Sequence, residues 1–456
     1  MIPRVVIAGT SSGAGKTSFA CGLIGALRAR GLRVQGFKVG PDYIDPSWHA
    51  LAAGRPGRNL DAFLSGPELI APLVRHGGAG ADVAVIEGVM GMFDGASGRG
   101  ELASTAHVAK LLEAPVVLVL DAAAMARSAA AVVHGFATFD PAVDVAGVIF
   151  NRVGSDHHEQ LLREALDPLG VPVLGALRRD ERVAAPERHL GLVPAHEREE
   201  RASAALAALA ELVAAQVDVR AVERLARAAP EQAGPAWDPA PHGPVAAGAR
   251  IAIARGPAFS FHYEENLELL RAAGAELAPF DPLRDAALPA GAGALLLAGG
   301  FPEVFGAELA ANAPLRSSVA AFAAAGRPVL AECGGLLYLC EQLDEQPMCG
   351  VLALRGRMGT RLTLGYREAV AATATLWLDA GEPVRGHEFH YAQVEPREGA
   401  PAHGAAWTLS ARGRTWEEGV VAGSVHASWL HVHWAAHPQL AARLARAALS
   451  AQAVAA

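Results

Sequence analysis

Cysteine is scarce in this chain. Four residues in 456 (Cys21, Cys333, Cys340 and Cys349) contain no C-x-x-C pair, a spacing that suggests neither a disulfide framework nor a zinc ribbon. A reducing cytoplasm is the compartment expected for such thiols. Basic charge is also in deficit: 39 Lys and Arg stand against 47 Asp and Glu, for a formal net charge of −8. With no basic surplus to neutralise a phosphate backbone, nucleic acid is not an expected partner. Long unbroken apolar runs are missing too, although 52% of the residues are hydrophobic. The stretch APVVLVLDAAAMARSAAAVV carries Asp121 and Arg127, so it reads as strand, loop and helix rather than as a membrane span. The opening MIPRVVIAGT passes from a basic residue directly into a strand-like run, without the apolar core of a signal peptide.

What is present is alternation. VVIAGT, LRVQGFKVG, ADVAVIEG, APVVLVLD and VAGVIFN are short apolar runs separated by helical patterns such as SFACGLIGALRARG. Buried strands alternating with helices imply a parallel sheet covered on both faces. After the helical pattern ASAALAALAELVAAQ, residues 228–248 are rich in Pro, Gly and Ala without periodicity and read as an interdomain linker. The alternation restarts with ARIAIAR and continues through ALLLAGG and RPVLAECGG, with later β-like segments such as EAVAATATLWL. Two α/β domains are therefore expected, residues 1–227 and 249–456, in line with ordinary domain sizes.

The strand VVIAG runs into TSSGAGKTS and an apolar helix. That is the context of a P-loop, where backbone N–H groups at a helix N-terminus surround phosphates. Gly13 and Gly15 shape the turn, Lys16 is placed to neutralise the β/γ phosphates, and Thr17 to hold Mg²⁺. In G-x-x-x-x-G-K-[ST] the first glycine falls on Thr10; the spacing instead resembles the dethiobiotin synthetase loop, GT-x-x-G-x-GKT. In GFKVGPDYIDPSWH, Lys38, Asp42 and Asp45 cluster after a strand, at the edge where α/β sheets bind ligands. Glu87 ends ADVAVIE and Asp94 follows in GMFDG, and carboxylates so placed can hold Mg²⁺ or orient a substrate. Asn151 ends the strand VIFN and is a candidate reader of the adenine edge. Arg188 and His189 occupy a turn in APERHLGLVP that says little alone.

The second domain carries a different chemistry. RPVLAECGGLLYL reads as strand, sharp turn and helix with Cys333 at the elbow, where a helix N-terminus is expected to lower the thiol pKa and permit attack on a carbonyl. Cys340 and Cys349 read as buried and inert. Gly299 and Gly300 end the strand ALLLAGG and offer N–H groups for an oxyanion. About a hundred residues past Cys333, HASWLHVHW supplies His426, His431 and His433. Class I amidotransferases carry H-x-E here; His431 fits the histidine and His433 stands where the acid would be, so His431 is the expected base and its orienting residue is unassigned.

With both sites in view, the chain resembles the cobyrinic and hydrogenobyrinic acid a,c-diamide synthase family. The strings that carry this are TSSGAGKT, KVGPDYIDP, GRPGRNLD with Asp61, VIEGVMGMFDG, RHLGLVP, GGFPE, AECGGLLYL, GHEFHY and ASWLHVHW. The resemblance implies an amino-terminal P-loop NTPase domain with a dethiobiotin synthetase-like parallel sheet and a carboxy-terminal class I glutamine amidotransferase-like α/β domain. It implies a cytoplasmic carbon–nitrogen ligase using ATP, Mg²⁺ and L-glutamine on a corrinoid, with Cys333 forming a thioester and a carboxylate activated as an acyl phosphate. Asp42, Asp45, Glu87 and Asp94 match family positions around metal, phosphates and substrate carboxylate, and Tyr43 and Ile44 lie where the corrinoid binds. A homodimer is compatible with this reading. Cobyric acid synthase and nickel-sirohydrochlorin a,c-diamide synthase share the layout. A partitioning-type P-loop ATPase would carry a signature Lys where Ser11 stands and would have no use for Cys333.

Overall fold

Strands rich in Val, Ile and Leu lose both faces to packing, and the first domain is built on that rule. β1 (Arg4–Gly9), β2 (Val34–Val39) and β4 (Val83–Glu87) are buried along their whole lengths. With β3 (Arg58–Leu60), β5 (Val116–Asp121), β6 (Val145–Val153) and β7 (Val173–Arg178) they form a seven-stranded sheet in the order β3-β2-β4-β1-β5-β6-β7. Every pairing in it is parallel. The loops after β1, β2 and β4 therefore gather at one edge, beside the strand from which the connections run outward both ways, where such sheets bind ligands. The helix α1 (Lys16–Ala29) follows β1, and α2 (Ile44–Ala53) follows β2. This computed structural model describes residues 1–180, 187–188, 191–192, 199–241 and 243–455.

The chain divides into two compact units between Trp237 and Asp238, inside the Pro- and Gly-rich segment read as a linker. The first half of that segment is part of unit 1 rather than a tether. Arg4 is fully buried and donates from Nε to the Leu112 carbonyl (2.6 Å) and from Nη2 to that of Pro230 (2.7 Å). Trp237 donates its N–H to Pro72 (3.0 Å) and sets its ring edge-on to His76 at 5.1 Å. Arg188 lies in a two-residue strand, Glu187–Arg188, paired with Gly191–Leu192; His189 is outside the described residues. Among the described residues no helix is long and apolar enough to cross a membrane.

Unit 2 has its own sheet, ordered Glu276–Phe280, Arg250–Ala254, Ala294–Leu297, Val329–Glu332, Val425–Ser428 and Val420–Ala422. All pairings are parallel except the last, which is antiparallel. Phe259, Leu295, Leu336 and Tyr338 are buried in its core. A five-stranded antiparallel sheet (Arg414–Glu418, Trp407–Ala411, Thr363–Ala371, Pro383–His390, His431–Val432) lies in the same unit. The run EAVAATATLWL contributes a strand only as far as Ala371. His431 lies in the final strand and pairs with His387, so the antiparallel sheet carries the candidate base while the parallel sheet carries the candidate nucleophile.

Two candidate active sites

In unit 1 the glycine-rich loop enters α1 through Gly15, whose φ of +100° is one an L side chain rarely adopts. A Cβ there would lie 2.1 Å from Nδ2 of Asn151. That amide donates to the Ala14 carbonyl (3.0 Å) and its oxygen accepts from the Arg152 N–H (2.9 Å). Asn151, singled out as an adenine reader, thus braces the loop in this structure. Lys16 folds back and donates to the carbonyls of Ser11 (2.9 Å) and Met90 (2.6 Å). Burial, then the nearby Lys38, lowers its pKa to about 8 against the pull of Glu87, Asp45 and Asp94.

Behind the loop sits a buried charge cluster. Glu87 Oε1 accepts from Thr17 Oγ1 (2.6 Å) and Lys38 Nζ (2.8 Å), while Oε2 lies 2.6 Å from His49 Nε2. Lys38 also reaches Asp45 Oδ2 (2.7 Å) and the Gly88 carbonyl (2.9 Å), and Thr17 Oγ1 is 3.3 Å from Asp45 Oδ2. Burial alone would push the Glu87 carboxyl up, but Lys38 and then His49 hold it well below the usual range. Burial likewise opposes the charge on Lys38, and Asp45 and Glu87 outweigh it, raising its pKa. Asp45 is different: burial, Asp42 and Glu87 together push its carboxyl well above the ordinary value. The cluster is short of positive charge, and its donors are hard oxygens from Thr17, Asp45 and Glu87, a set suited to Mg²⁺. Among the described residues no group of three or more His, Cys, Asp or Glu side chains could hold a metal unaided, so phosphate and water oxygens would have to complete the shell.

The remaining unit 1 candidates shape the surrounding loops. Asp42 Oδ1 accepts from the N–H groups of Ile44 (2.7 Å) and Asp45 (2.9 Å), starting α2 as a capping residue does. Asn59 Nδ2 holds the carbonyls of Gly40 and Asp42. Tyr43 immediately precedes α2 and Ile44 is its first, buried residue. Asp94 Oδ2 accepts from Gly91 N (3.0 Å), and Asp61 Oδ1 from Phe63 and Leu64. Sequence reading passed over His49, although it lies in the string containing Lys38. Its place on α2, with its ring turned onto the end of β4, is a tertiary fact that no local pattern marks.

In unit 2 the strand Val329–Glu332 stops at Cys333, a non-glycine residue at φ +50° and ψ −101°. Such strain in an ordered residue is a recurrent mark of functional turns. The Cys333 N–H donates to the Ser428 carbonyl (2.7 Å). A Cβ on Gly299 would meet His431 Cε1 at 2.5 Å, and one on Gly334 would come within 3.0 Å of the Gly300 N. The glycine pair, the elbow and His431 are thus brought to one place. The thiol, however, is not activated by its helix. Burial, then Glu303, with Glu332 and Glu388, pushes its pKa well above the ordinary value, and the Gly334 N–H is the opposing influence. Only six residues, Gly334–Leu339, form that helix, too short a dipole to offset burial among carboxylates. The thiol therefore needs a base in contact.

The three late histidines separate cleanly. His426 is buried edge-on between Trp377 (5.1 Å) and Trp407 (5.2 Å), and burial pushes its pKa down to about 3; it packs. His433 Nε2 lies 3.5 Å from Glu265 Oε2, and its ring leans on Tyr263. His431 stacks on His387 with ring centres 4.9 Å apart, and its Nδ1 lies 3.7 Å from Glu332 Oε2. Cys340 donates to the Leu336 carbonyl and burial lifts its pKa to about 12. The turn before His431 is clamped: Ser428 Oγ accepts from Trp407 Nε1 and Leu430 N and donates to Glu418, which also accepts from Trp429 N.

Two measurements check these electrostatics. A Lys16 ammonium weakened to about 8 regains a proton when phosphates arrive, so nucleotide binding near pH 9 should take up a fraction of a proton, read by titration calorimetry in buffers of differing ionisation enthalpy; Lys16→Met should abolish the uptake. Burial raises Glu418 from 4.5 to about 7, so the folded state holds the proton more tightly than the unfolded one. Stability then falls as pH rises from about 4.5 to about 7, by on the order of 3 kcal/mol, and levels off above. Denaturant midpoints across that window should show a slope that Glu418→Gln removes.

Comparison with known proteins agrees with this division of chemistry. Residues 5–193 match a CobQ/CobB/MinD/ParA nucleotide binding domain and residues 250–439 a CobB/CobQ-like glutamine amidotransferase domain. A hydrogenobyrinate a,c-diamide synthase of Streptomyces coelicolor is 54% identical, covering 97% of this chain and 96% of that protein. One from Thermobifida fusca is 51% identical over 99% and 98%, and a cobyrinate a,c-diamide synthase of Gloeobacter violaceus is 44% identical over 98% and 97%. The chain is a glutamine-dependent amide-forming ligase, and it belongs to the hydrogenobyrinate/cobyrinate a,c-diamide synthase family.

Proposed function

We propose that the protein amidates the a and c acetate carboxylates of hydrogenobyrinate, using ATP to activate each carboxylate and glutamine to supply ammonia. The observation that carries the reading is near-full-length identity of 51 to 54% to proteins named for that substrate, against 44% to one named for cobyrinate. Cobyrinate, the cobalt-containing counterpart, is the second reading.

In unit 2, His431 takes the thiol proton and Cys333 Sγ attacks the side-chain amide carbon of glutamine. The tetrahedral oxyanion faces the N–H groups of Gly299 and Gly300. As the C–N bond breaks, His431 returns the proton to the departing nitrogen and ammonia leaves. Water then hydrolyses the thioester, releasing glutamate and restoring the thiol. In unit 1, Gly13, Gly15 and Asn151 form the nucleotide cradle and Lys16 exchanges its two carbonyl partners for phosphate oxygens. A substrate carboxylate oxygen attacks the γ-phosphorus, ADP departs, and ammonia displaces phosphate from the resulting acyl phosphate. Thr17, Asp45 and Glu87 would hold a Mg²⁺ ion, which would supply neutralisation of the charge on the transferring phosphoryl group. Lys38 and Asp42 orient the substrate carboxylate, with Asp94, Tyr43 and Ile44 at the corrinoid side of the pocket. All four cysteines are free thiols, which suits a reducing cytoplasm.

The protein incubated with ATP, Mg²⁺ and glutamine should add two amides to hydrogenobyrinate, counted by mass spectrometry. Cys333→Ala should lose glutamine-supported synthesis by at least about 10³-fold yet keep synthesis from ammonium salts. Absence of amide on both hydrogenobyrinate and cobyrinate, or glutamine use by the Cys333→Ala protein, contradicts the assignment.

A further inference from the structure

The amidotransferase site leaves its base without the acid two residues on, because His433 occupies that position. His433 cannot serve, since its Nε2 lies 3.5 Å from the buried carboxylate of Glu265 on the helix Glu264–Ala272. A carboxylate reaches His431 instead from the other side of the nucleophile. Glu332 is the last residue of the strand that ends at the elbow, and its Oε2 is 3.7 Å from His431 Nδ1. Both residues are buried, His431 to 1% exposure and Glu332 to 7%. We propose that Glu332 is a positioning residue for glutamine hydrolysis: its carboxylate fixes the His431 tautomer that leaves Nε2 to take the thiol proton, and balances the imidazolium that results.

A buried carboxylate beside the nucleophile opposes thiolate formation, and Glu332 is among the groups that raise the Cys333 pKa. Its presence favours catalysis only if it stabilises the partner that receives the proton more than it hinders the thiol. The other groups around His431 do not supply that balance. His387, stacked on it from the strand Pro383–His390, is kept neutral by burial, then by His431 and Arg367. Glu388 is paired with Arg367 and 3.9 Å from His390 Nε2, and His390 in turn stacks on Trp429. Glu265 faces His433. Glu303 bears on the thiol itself. At 3.7 Å the Glu332 contact is an ion-pair distance rather than a formed hydrogen bond, and contacts of this kind tighten when the imidazole charges during turnover. Placing acid and nucleophile on adjacent residues works here because the turn at Cys333 bends the chain sharply between them.

The inference rests on Cys333 and His431 as nucleophile and base, and the full-length protein tests the two separately. Glu332→Gln should lower kcat for glutamine-supported synthesis about 100-fold with KM for glutamine within about threefold. Ammonia-supported synthesis should be unchanged, and the pH profile of Cys333 alkylation by iodoacetamide should shift relative to wild type. Glu332→Asp should recover about tenfold of the loss, leaving kcat about tenfold below wild type. A Glu332→Gln protein within threefold of wild type on glutamine, alongside an inactive Cys333→Ala protein, overturns the role of Glu332 alone. Glutamine use by Cys333→Ala overturns the underlying reading instead. Should the neutral variant not fold, Glu332→Asp carries the test: kcat reduced about tenfold at constant KM supports the proposal, and unchanged kcat refutes it.

Discussion

A carboxylate with no exposed surface cannot remain ionised unless every oxygen is answered, and Glu87 sets that condition for unit 1. Its two oxygens draw in Thr17 from α1, Lys38 from β2 and His49 from α2. Lys38 and Glu87 are register partners across β2 and β4, so the ion pair and the sheet reinforce one another. The first turn of the helix that carries the phosphate loop is tied to the same point through Thr17. Loop, strand edge and α2 are therefore positioned by one buried charge, and a divalent cation would add positive charge beside Asp45.

Unit 2 meets the same problem in the opposite way. The thiol of its candidate nucleophile, Cys333, is pushed toward the neutral form by burial and by carboxylate neighbours. In the proposed mechanism reactivity comes from proton transfer to His431 at the moment of attack, beside the strained elbow and the Gly299–Gly300 pair. The Glu418–Ser428 clamp fixes the turn leading to His431, which makes geometry rather than pKa depression the main preparation of this site.

Much of this was legible in residues 9–17 and 329–339, where strand, turn and helix are local and motif spacing translates directly into geometry. Two features were not. His49 and Glu332 act through partners 38 and 99 residues away in sequence, and neither type nor spacing sets them apart from an ordinary core histidine or strand-end acid. The thiol was misjudged for a related reason: a helix N-terminus is visible in sequence, while the burial and three carboxylates that outweigh it are assembled only by folding. Asn151 was singled out as a strand-end residue; it lies two residues before the end of the strand Val145–Val153, and its amide donates to Ala14 beside the tight turn at Gly15. In the same way, residues 229–237 look like a tether by composition, and contacts with Arg4, Arg75 and His76 reveal that they pack.

In the proposed mechanism unit 1 transfers a phosphoryl group from ATP to a substrate carboxylate. Synthesis from hydrogenobyrinate labelled with ¹⁸O in its acetate carboxylates tests it most directly. One labelled oxygen should appear in inorganic phosphate for each amide formed. Unlabelled phosphate, or label recovered in AMP, would contradict the acyl phosphate and with it the role assigned to the Glu87 cluster.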